Sequence, residues 1–157
     1  MILYFMRHGA ALSREEWNRE EIERPLTAKG RKNTEKQARR FGREIRLDRI
    51  YTSPYVRAYQ TADIIASVME IPERVIVDER LGPGFDYDKL SAIVRENLKV
   101  ESLLLVSHEP DLSSLVGQIT GGGRLNFRKG ALAEVELADP ESLQGVLSEL
   151  ISPRFIC

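Results

Sequence analysis

The chain has 157 residues, of which 42% are hydrophobic and 30% are charged, and its formal net charge is -1. This length and composition predict one domain spanning residues 1–157, and a net charge near zero argues against nucleic acid or a membrane surface as partner. The single cysteine, Cys157, excludes an intrachain disulfide and a metal cluster built from cysteine and histidine.

The predicted elements alternate between strands and helices. In chain order they are strand 2–7, helix 29–46, strand 47–52, a helix from Pro54 through Met69, strand 74–78, helix 87–98, strand 102–107, a helix from Leu112 through Ile119, and strands 131–137 and 144–151. Short apolar runs define the strands, and apolar stripes at helical spacing define the helices. The first run is too short for a signal peptide and no run reaches transmembrane length, so we expect a cytoplasmic protein.

Polar residues at the element boundaries predict where three of the helices begin. Thr27 is the predicted N-cap of the first helix. Ser53 followed by Pro54 predicts the start of the second helix, because proline at the first helical position loses no hydrogen bond. Asp111 is the predicted N-cap of the last helix.

This alternation predicts a single-domain α/β fold. Strands that alternate with helices form a largely parallel central sheet, and the crossover connections place helices on both of its faces. The last two strands, 131–137 and 144–151, are joined by a short turn at Asp139-Pro140, which predicts an antiparallel edge.

The only two histidines of the chain, His8 and His108, each directly follow an apolar strand. Arg7 and Gly9 flank the first histidine, and Arg57 follows the second strand. The carboxyl ends of parallel strands form the ligand-binding edge of an open α/β sheet. We therefore expect these side chains to share one crevice.

Two arginines and two histidines together suit a dianionic phosphoryl group. Arg7 and Arg57 offer planar, permanently charged donors to phosphate oxygens, and Gly9 leaves room for the backbone to approach the ligand. His8 is the candidate nucleophile that attacks phosphorus and becomes a phosphohistidine. His108, if protonated, donates to the charge that develops on oxygen. Fixed cations neutralise the ligand in this scheme, so no metal is required.

Four motifs resemble those of the histidine phosphatase (phosphoglycerate-mutase-like) superfamily. They are Arg7-His8-Gly9, Arg24-Pro25-Leu26-Thr27-x-x-Gly30, Ser53-Pro54-x-x-Arg57-Ala58-x-x-Thr61 and Ser107-His108-x-Pro110. The second motif and the short chain are similar to the SixA-type phosphohistidine phosphatase branch. The resemblance implies an α/β fold without a metal or organic cofactor. It also implies His8 as the phosphorylated nucleophile, with a phosphate pocket formed by Arg7, Arg57 and His108.

The chain departs from the larger members of that family, which carry an acidic proton donor after the third strand. The corresponding stretch, residues 81–84, has no acid, and neither Glu79 nor Asp86 matches the position. A phosphate ester of a poor alcohol needs a general acid, worth ~10²–10⁴-fold, whereas the protonated imidazole of phosphohistidine is a good leaving group. The missing acid therefore favours phosphohistidine as substrate. Glu109, directly after His108, is the candidate proton donor.

The predicted function is hydrolysis of phosphohistidine on a phosphorylated protein, with release of inorganic phosphate. One alternative is a small-molecule phosphomonoesterase on the same scaffold, acting on a sugar phosphate, a nucleotide or a similar metabolite. Another is a phosphoprotein-binding module without turnover. The basic helix 29–46 is interpreted as a solvated face, with docking of an acidic phosphoprotein as the alternative.

Overall fold

A mixed β-sheet forms the centre of the computed structural model, which describes residues 1–155. Its strands are β1 (Ile2–Arg7), β2 (Arg49–Thr52), β3 (Val75–Val77), β4 (Ser102–Ser107), β5 (Leu132–Asp139) and β6 (Gln144–Ile151), in the order β3-β2-β4-β1-β5-β6. The pairings among β1 to β4 are parallel, whereas β5 is antiparallel to β1 and to β6. This topology confirms the predicted largely parallel sheet with an antiparallel edge. Cys157, on which the predictions about disulfides and metal clusters depend, lies outside the residues that the structure describes.

Helices cover both faces of this sheet. Those in the described part of the chain are α1 (Ala28–Phe41), α2 (Val56–Val68), α3 (Tyr87–Glu96) and α4 (Asp111–Ile119). Because successive strand residues point to opposite faces, Leu3 and Phe5 of β1 pack with α3 and α4. Tyr4 and Met6 pack with α1 and α2 on the other face. The predicted helices on both faces are thereby confirmed. None of the helices within residues 1–155 has the length and apolar character needed to cross a membrane.

Helix α1 begins where the sequence predicts and ends earlier. Thr27 Oγ1 accepts the Gly30 N–H at 2.9 Å, which confirms the predicted N-cap. The helix ends at Phe41 rather than at residue 46, because the residue that follows, Gly42, has low helix propensity and takes the C-cap position.

Two predicted N-caps are wrong, and hydrogen bonds outside the helices explain both. Helix α2 begins at Val56 with Tyr55 at its N-cap, and the Ser53 hydroxyl accepts the Tyr55 N–H at 3.2 Å from the turn before the helix. Asp111 is the first residue of α4 rather than its N-cap. Its carboxylate accepts the backbone N–H of Gly84 at 2.6 Å, so it braces a neighbouring loop.

The first turn of α1 crosses the loop that follows β1. Gly30 lies directly against Ala10, and a Cβ at this position would overlap the Ala10 carbonyl group. The same carbonyl oxygen accepts the Thr27 N–H at 2.9 Å. Backbone contacts with α1 therefore fix the loop that carries His8 and Gly9.

Replacing Gly30 by alanine is expected to lower the free energy of unfolding by ~1–3 kcal/mol, because the backbone of Ala10 must shift to admit the new methyl group. Urea denaturation measures this change. The exposed neighbour Lys29 offers a matched control, since Lys29→Ala should stay within about 0.5 kcal/mol of the native protein. Equal stability of the two variants would show that the crossing at Gly30 is not tight.

Candidate active site

Three strand ends meet at one edge of the sheet. Strand β4 lies between β1 and β2, and Arg7 at the end of β1 pairs with Ser107 at the end of β4. His8 and His108 directly follow these paired ends, and their ring centroids are 5.3 Å apart. Arg57 reaches the same point from the first turn of α2. The structure thus brings together the two histidines and two arginines that the sequence predicts for the site.

The His8 ring is held by hydrogen bonds at both nitrogens. Nδ1 lies 2.8 Å from the Gly9 carbonyl oxygen, and Nε2 accepts a hydrogen bond from Arg57 Nε at 3.2 Å. A carbonyl oxygen only accepts and a guanidinium only donates. The ring proton must therefore be on Nδ1, which leaves the lone pair on Nε2.

Burial keeps the His8 ring neutral. Removal from water lowers the pKa of His8 from 6.5 to about 3, and the positive charge of Arg57 and the nearby His108 and Arg7 contribute to this lowering. The side chain is uncharged at pH 7 and offers its Nε2 lone pair without first losing a proton. A neutral imidazole with a free lone pair is the form that can attack phosphorus.

His108 is oriented by Ser53, which follows β2. His108 Nε2 lies 2.7 Å from Ser53 Oγ, and Ser53 Oγ already accepts the Tyr55 N–H. A hydroxyl has one hydrogen and two lone pairs, so Ser53 Oγ can still either donate to Nε2 or accept from it. If it donates, the ring proton of His108 is on Nδ1. That nitrogen is buried and has no hydrogen-bond partner among residues 1–155.

The charge of His108, which the sequence left open, follows from its burial. Burial, followed by the positive charge of Arg57, lowers the pKa of His108 from 6.5 to about 4. The ring is therefore neutral at pH 7 rather than a protonated donor. A neutral ring with its proton on Nδ1 still presents one N–H donor to a ligand.

Glu21 holds Arg57 in place from the opposite side. Arg57 Nη1 donates to the Glu21 carbonyl oxygen at 3.1 Å, and Arg57 Nη2 lies 3.3 Å from a carboxylate oxygen of the same residue. That carboxylate also binds Arg24 at 2.7 Å. The sequence analysis missed Glu21, because a glutamate in a polar loop carries no local signal of contact with an arginine far along the chain.

Arg7 presents unused donors to the same space. Its Nη1 donates to the Phe127 carbonyl oxygen at 2.9 Å, which orients the guanidinium. Its Nε is buried without a partner in the described part of the chain. Burying a guanidinium donor without a partner is costly, and this orphaned donor is suited to an anionic ligand.

The approach of the backbone to the ligand at Gly9 stays a prediction, and both backbone polar groups of Gly9 are engaged within the protein. Its N–H donates to Thr61 Oγ1 at 3.0 Å, and Thr61 Oγ1 in turn donates to the Arg57 carbonyl oxygen at 2.8 Å. Its own carbonyl orients His8. Gly9 and Thr61 therefore tie the loop after β1 to α2, and the Gly9 N–H is engaged by the protein itself.

A cationic pocket of about 290 Å³ encloses this cluster. Its lining residues are Arg7, His8, Leu12, Ser13, Arg14, Arg24, Arg57, His108, Glu109 and Lys129. Sequence reasoning missed Arg14 and Lys129, and assigned Arg24 only to a family motif. Arg14 follows β1 closely in the chain, which is a signal that could have found it, whereas Arg24 and Lys129 are distant from β1 in sequence and carry no such signal.

Glu109 is the one carboxylate among the residues that line the cationic pocket. Its side chain accepts the Ser113 N–H at 3.2 Å and the Ser113 hydroxyl at 2.5 Å, so it also braces the first turn of α4. The two other acids considered from the sequence, Glu79 and Asp86, do not line the pocket. Asp86 instead caps α3 by accepting the Lys89 N–H at 3.0 Å.

Comparison with known proteins gives matches over the whole chain. The sequence profile of the histidine phosphatase superfamily, branch 1, matches residues 3–82. A Picosynechococcus protein of uncharacterised role is 35% identical over 138 residues, covering 84% of this chain and 82% of its own length. The phosphohistidine phosphatase SixA of Escherichia coli is 31% identical over 158 residues, covering 98% and 94% respectively. A solved structure of the protein histidine phosphatase SixA with tungstate superimposes with a TM-score of 0.89 at 29% identity, with full coverage of both chains.

The lowered pKa values of the two histidines predict a stability loss in mild acid. An unfolded chain binds a proton at each histidine near pH 6.5, whereas the folded protein does so only near pH 3 to 4. Lowering the pH from 7 to 5 should therefore reduce the free energy of unfolding by about 2 kcal/mol per histidine.

Urea denaturation at pH 7, 6 and 5 measures this dependence. The His8→Gln/His108→Gln variant should show a correspondingly flatter pH dependence, because its side chains do not titrate, whereas carboxylates contribute equally to both proteins. Parallel curves for the two proteins would contradict the buried, neutral state of the histidines.

Proposed function

The chain belongs to the histidine phosphatase superfamily and is a phosphatase of that type. From this premise we propose that it hydrolyses protein phosphohistidine and that His8 carries the phosphoryl group as an intermediate. The observation that carries this proposal is the fixed tautomer of His8. Its Nε2 lone pair lies beside Arg57, in a pocket lined by five arginine and lysine side chains. A nucleophile that is neutral at pH 7 and surrounded by phosphate-binding cations suits direct attack on phosphorus.

The first step transfers the phosphoryl group to the enzyme. The Arg57 Nε–H turns from His8 Nε2 to a phosphoryl oxygen, and Nε2 donates its released lone pair to phosphorus. A new N–P bond forms, and the bond from phosphorus to the substrate imidazole breaks with its electron pair on the imidazole nitrogen. The Gly9 carbonyl accepts the Nδ1 hydrogen of His8 and so stabilises the positive charge that the ring acquires. Arg7, Arg57 and the Nδ1–H of His108 would hold the three phosphoryl oxygens as their charge increases.

The second step returns the enzyme to its starting state. A water molecule attacks phosphorus, and the bond to His8 Nε2 breaks with its electron pair returning to Nε2. Inorganic phosphate leaves as dihydrogen phosphate, which carries the oxygen and both hydrogens of the water. The neutral ring of His8 is a good leaving group for the same reason that the substrate imidazole is. The same side chains hold the oxygens in both steps, so one set of residues serves both.

Phosphohistidine suits this pocket better than an alkyl phosphate ester. The leaving imidazole departs as a neutral molecule once its distal nitrogen is protonated, so the enzyme need not supply a strong acid. Glu109 is the one candidate acid in the lining, and Ser113 engages its carboxylate. The related SixA structure supports an oxyanion site in this family, since it was solved with tungstate, a tetrahedral dianion like hydrogen phosphate.

A labelled P–N donor such as phosphoramidate should transfer its phosphoryl group to His8. An alkaline quench is required, because phosphohistidine is labile in acid. The native protein is expected to retain label, and His8→Ala is expected to retain none. His108→Ala should still form the phosphoenzyme, about 10²–10³-fold more slowly, because it lacks one donor to the phosphoryl oxygens. Label that persists in His8→Ala would overturn the nucleophile assignment.

Glu109→Gln should separate the two classes of substrate. Hydrolysis of an alkyl ester such as phosphoserine, which needs a proton on its leaving oxygen, should fall by at least tenfold more than hydrolysis of a phosphohistidine peptide. Values of kcat/KM for both substrates measure the difference. Ser113→Ala is the control, because it removes the hydrogen bond that braces α4 and keeps the carboxylate. Equal losses on both substrates would contradict cleavage of the P–N bond without an enzymatic acid.

A further inference from the structure

A second basic surface adjoins the cationic pocket. This basic groove has a volume of about 550 Å³ and is lined by Arg7, Asn126, Arg128, Lys129, Ser152, Pro153 and Arg154. It shares Arg7 and Lys129 with the cationic pocket. Any molecule seated in the groove therefore lies next to the phosphoryl group bound at His8.

The sheet topology places the groove at the active-site edge. Strand β5 is antiparallel to β1, so the segment before β5 lies beside the carboxyl end of β1. The Gly130 N–H donates to the carbonyl oxygens of Arg7 and His8 at 3.1 and 3.0 Å. Leu132 at the start of β5 pairs with Ile151 at the end of β6, which brings residues 152–154 to the same edge.

The cations of the groove are not neutralised by the protein. Arg128, Lys129 and Arg154 are exposed, and within residues 1–155 none of them forms an ion pair with a carboxylate. No acidic residue contributes to the groove lining, whereas Glu21 neutralises part of the charge on Arg24 and Arg57.

The positive charge exceeds what one phosphoryl group needs. A bound phosphoryl group carries two negative charges, and Arg7 and Arg57 supply two matching cations beside His8. Arg128 and Arg154 lie outside the cationic pocket and add charge that the phosphoryl group does not require. The groove is also nearly twice as large as the pocket, which suits a polypeptide segment better than one further small anion.

We propose that the basic groove binds an acidic segment of the phosphoprotein beside its phosphohistidine, so that Arg128, Lys129 and Arg154 determine substrate preference. This inference rests on the proposed phosphohistidine activity. Complementary charge across an open surface raises the rate of productive encounter more than it changes the chemical step. The effect should therefore appear in kcat/KM, should weaken with added salt, and should be small in kcat.

Synthetic phosphohistidine peptides test the proposal directly. One peptide carries four glutamates before the phosphohistidine, a second carries them after it, and a third carries four glutamines in both places. At low salt the native protein is expected to prefer one of the acidic peptides over the glutamine peptide by about tenfold in kcat/KM. Raising the salt to 0.5 M should remove most of this preference.

Charge reversal in the groove provides the decisive comparison. Arg128→Glu/Arg154→Glu should reduce the ratio of kcat/KM for acidic and glutamine peptides to about one or below. The control is Arg46→Glu/Arg95→Glu, which changes the net charge equally. Both control residues are exposed near the amino ends of β2 and β4, at the opposite edge of the sheet, so this variant should keep the native ratio.

Each outcome either supports or overturns the groove proposal. A native protein that hydrolyses all three peptides equally well would overturn it and leave the phosphohistidine activity standing. The proposal is also overturned if the groove variant keeps the native ratio of kcat/KM for acidic and glutamine peptides. The same holds if the groove variant lowers kcat/KM for a small bisphosphate while this peptide ratio is unchanged. If the native protein hydrolyses neither the peptides nor free phosphohistidine, the proposed function itself fails, which is a separate result.

Discussion

The His8 imidazole is held between a carbonyl oxygen and a guanidinium, and the rest of the site depends on this arrangement. The Gly9 carbonyl oxygen accepts a hydrogen bond from Nδ1–H, and Arg57 Nε donates a hydrogen bond to Nε2. Because neither partner can exchange donor for acceptor, Nε2 carries no proton at neutral pH, and its lone pair accepts the hydrogen bond from Arg57. The surrounding fold holds His8, Gly9 and Arg57 in place. Strand β1 positions His8, and the contact of Gly30 with Ala10 fixes the loop after β1. Thr61 links Gly9 to α2, the helix that carries Arg57.

Electrostatic preorganisation follows from the same arrangement. Arg57 approaches an uncharged ring, so the buried guanidinium meets no like charge from His8 at pH 7. Glu21 supplies the counter-charge for Arg57 and Arg24 from outside the pocket lining. Arg7 Nε and His108 Nδ1, both in residues that line the cationic pocket, are buried without a hydrogen-bond partner within residues 1–155. Catalysis of phosphoryl transfer depends on such donors being in place before charge develops.

Much of the fold was predictable because the strands carry strong local signals. The apolar runs before His8 and His108 are buried on both faces, so their period and length identified strands whose carboxyl ends meet. The helix starts were less predictable where tertiary bonds compete with capping. Serine is a residue type typical of N-caps, but the Ser53 hydroxyl is hydrogen-bonded to His108 Nε2 and to the Tyr55 N–H in the turn before α2. Asp111 likewise braces the loop at Gly84.

The site was predictable in its residues and less so in its electrostatics. The four side chains predicted at the strand ends do converge, but their charge states depend on burial, which a sequence does not reveal at a single position. His108 is neutral for this reason. Arg14 and Lys129 lie in irregular loops, and Glu21 begins a three-residue 3-10 helix, so none of them belongs to an element long enough to show a periodic pattern.

The central claim, that Gly9 and Arg57 fix His8 as a neutral ring with its lone pair on Nε2, is tested most directly by ¹⁵N NMR of the protein labelled at histidine. At pH 7 the His8 resonances should show a protonated Nδ1 and an unprotonated, pyridine-type Nε2, and this pattern should persist down to about pH 5, well above the lowered pKa of His8. A proton on Nε2, or a fully protonated His8 ring at pH 6, would contradict it.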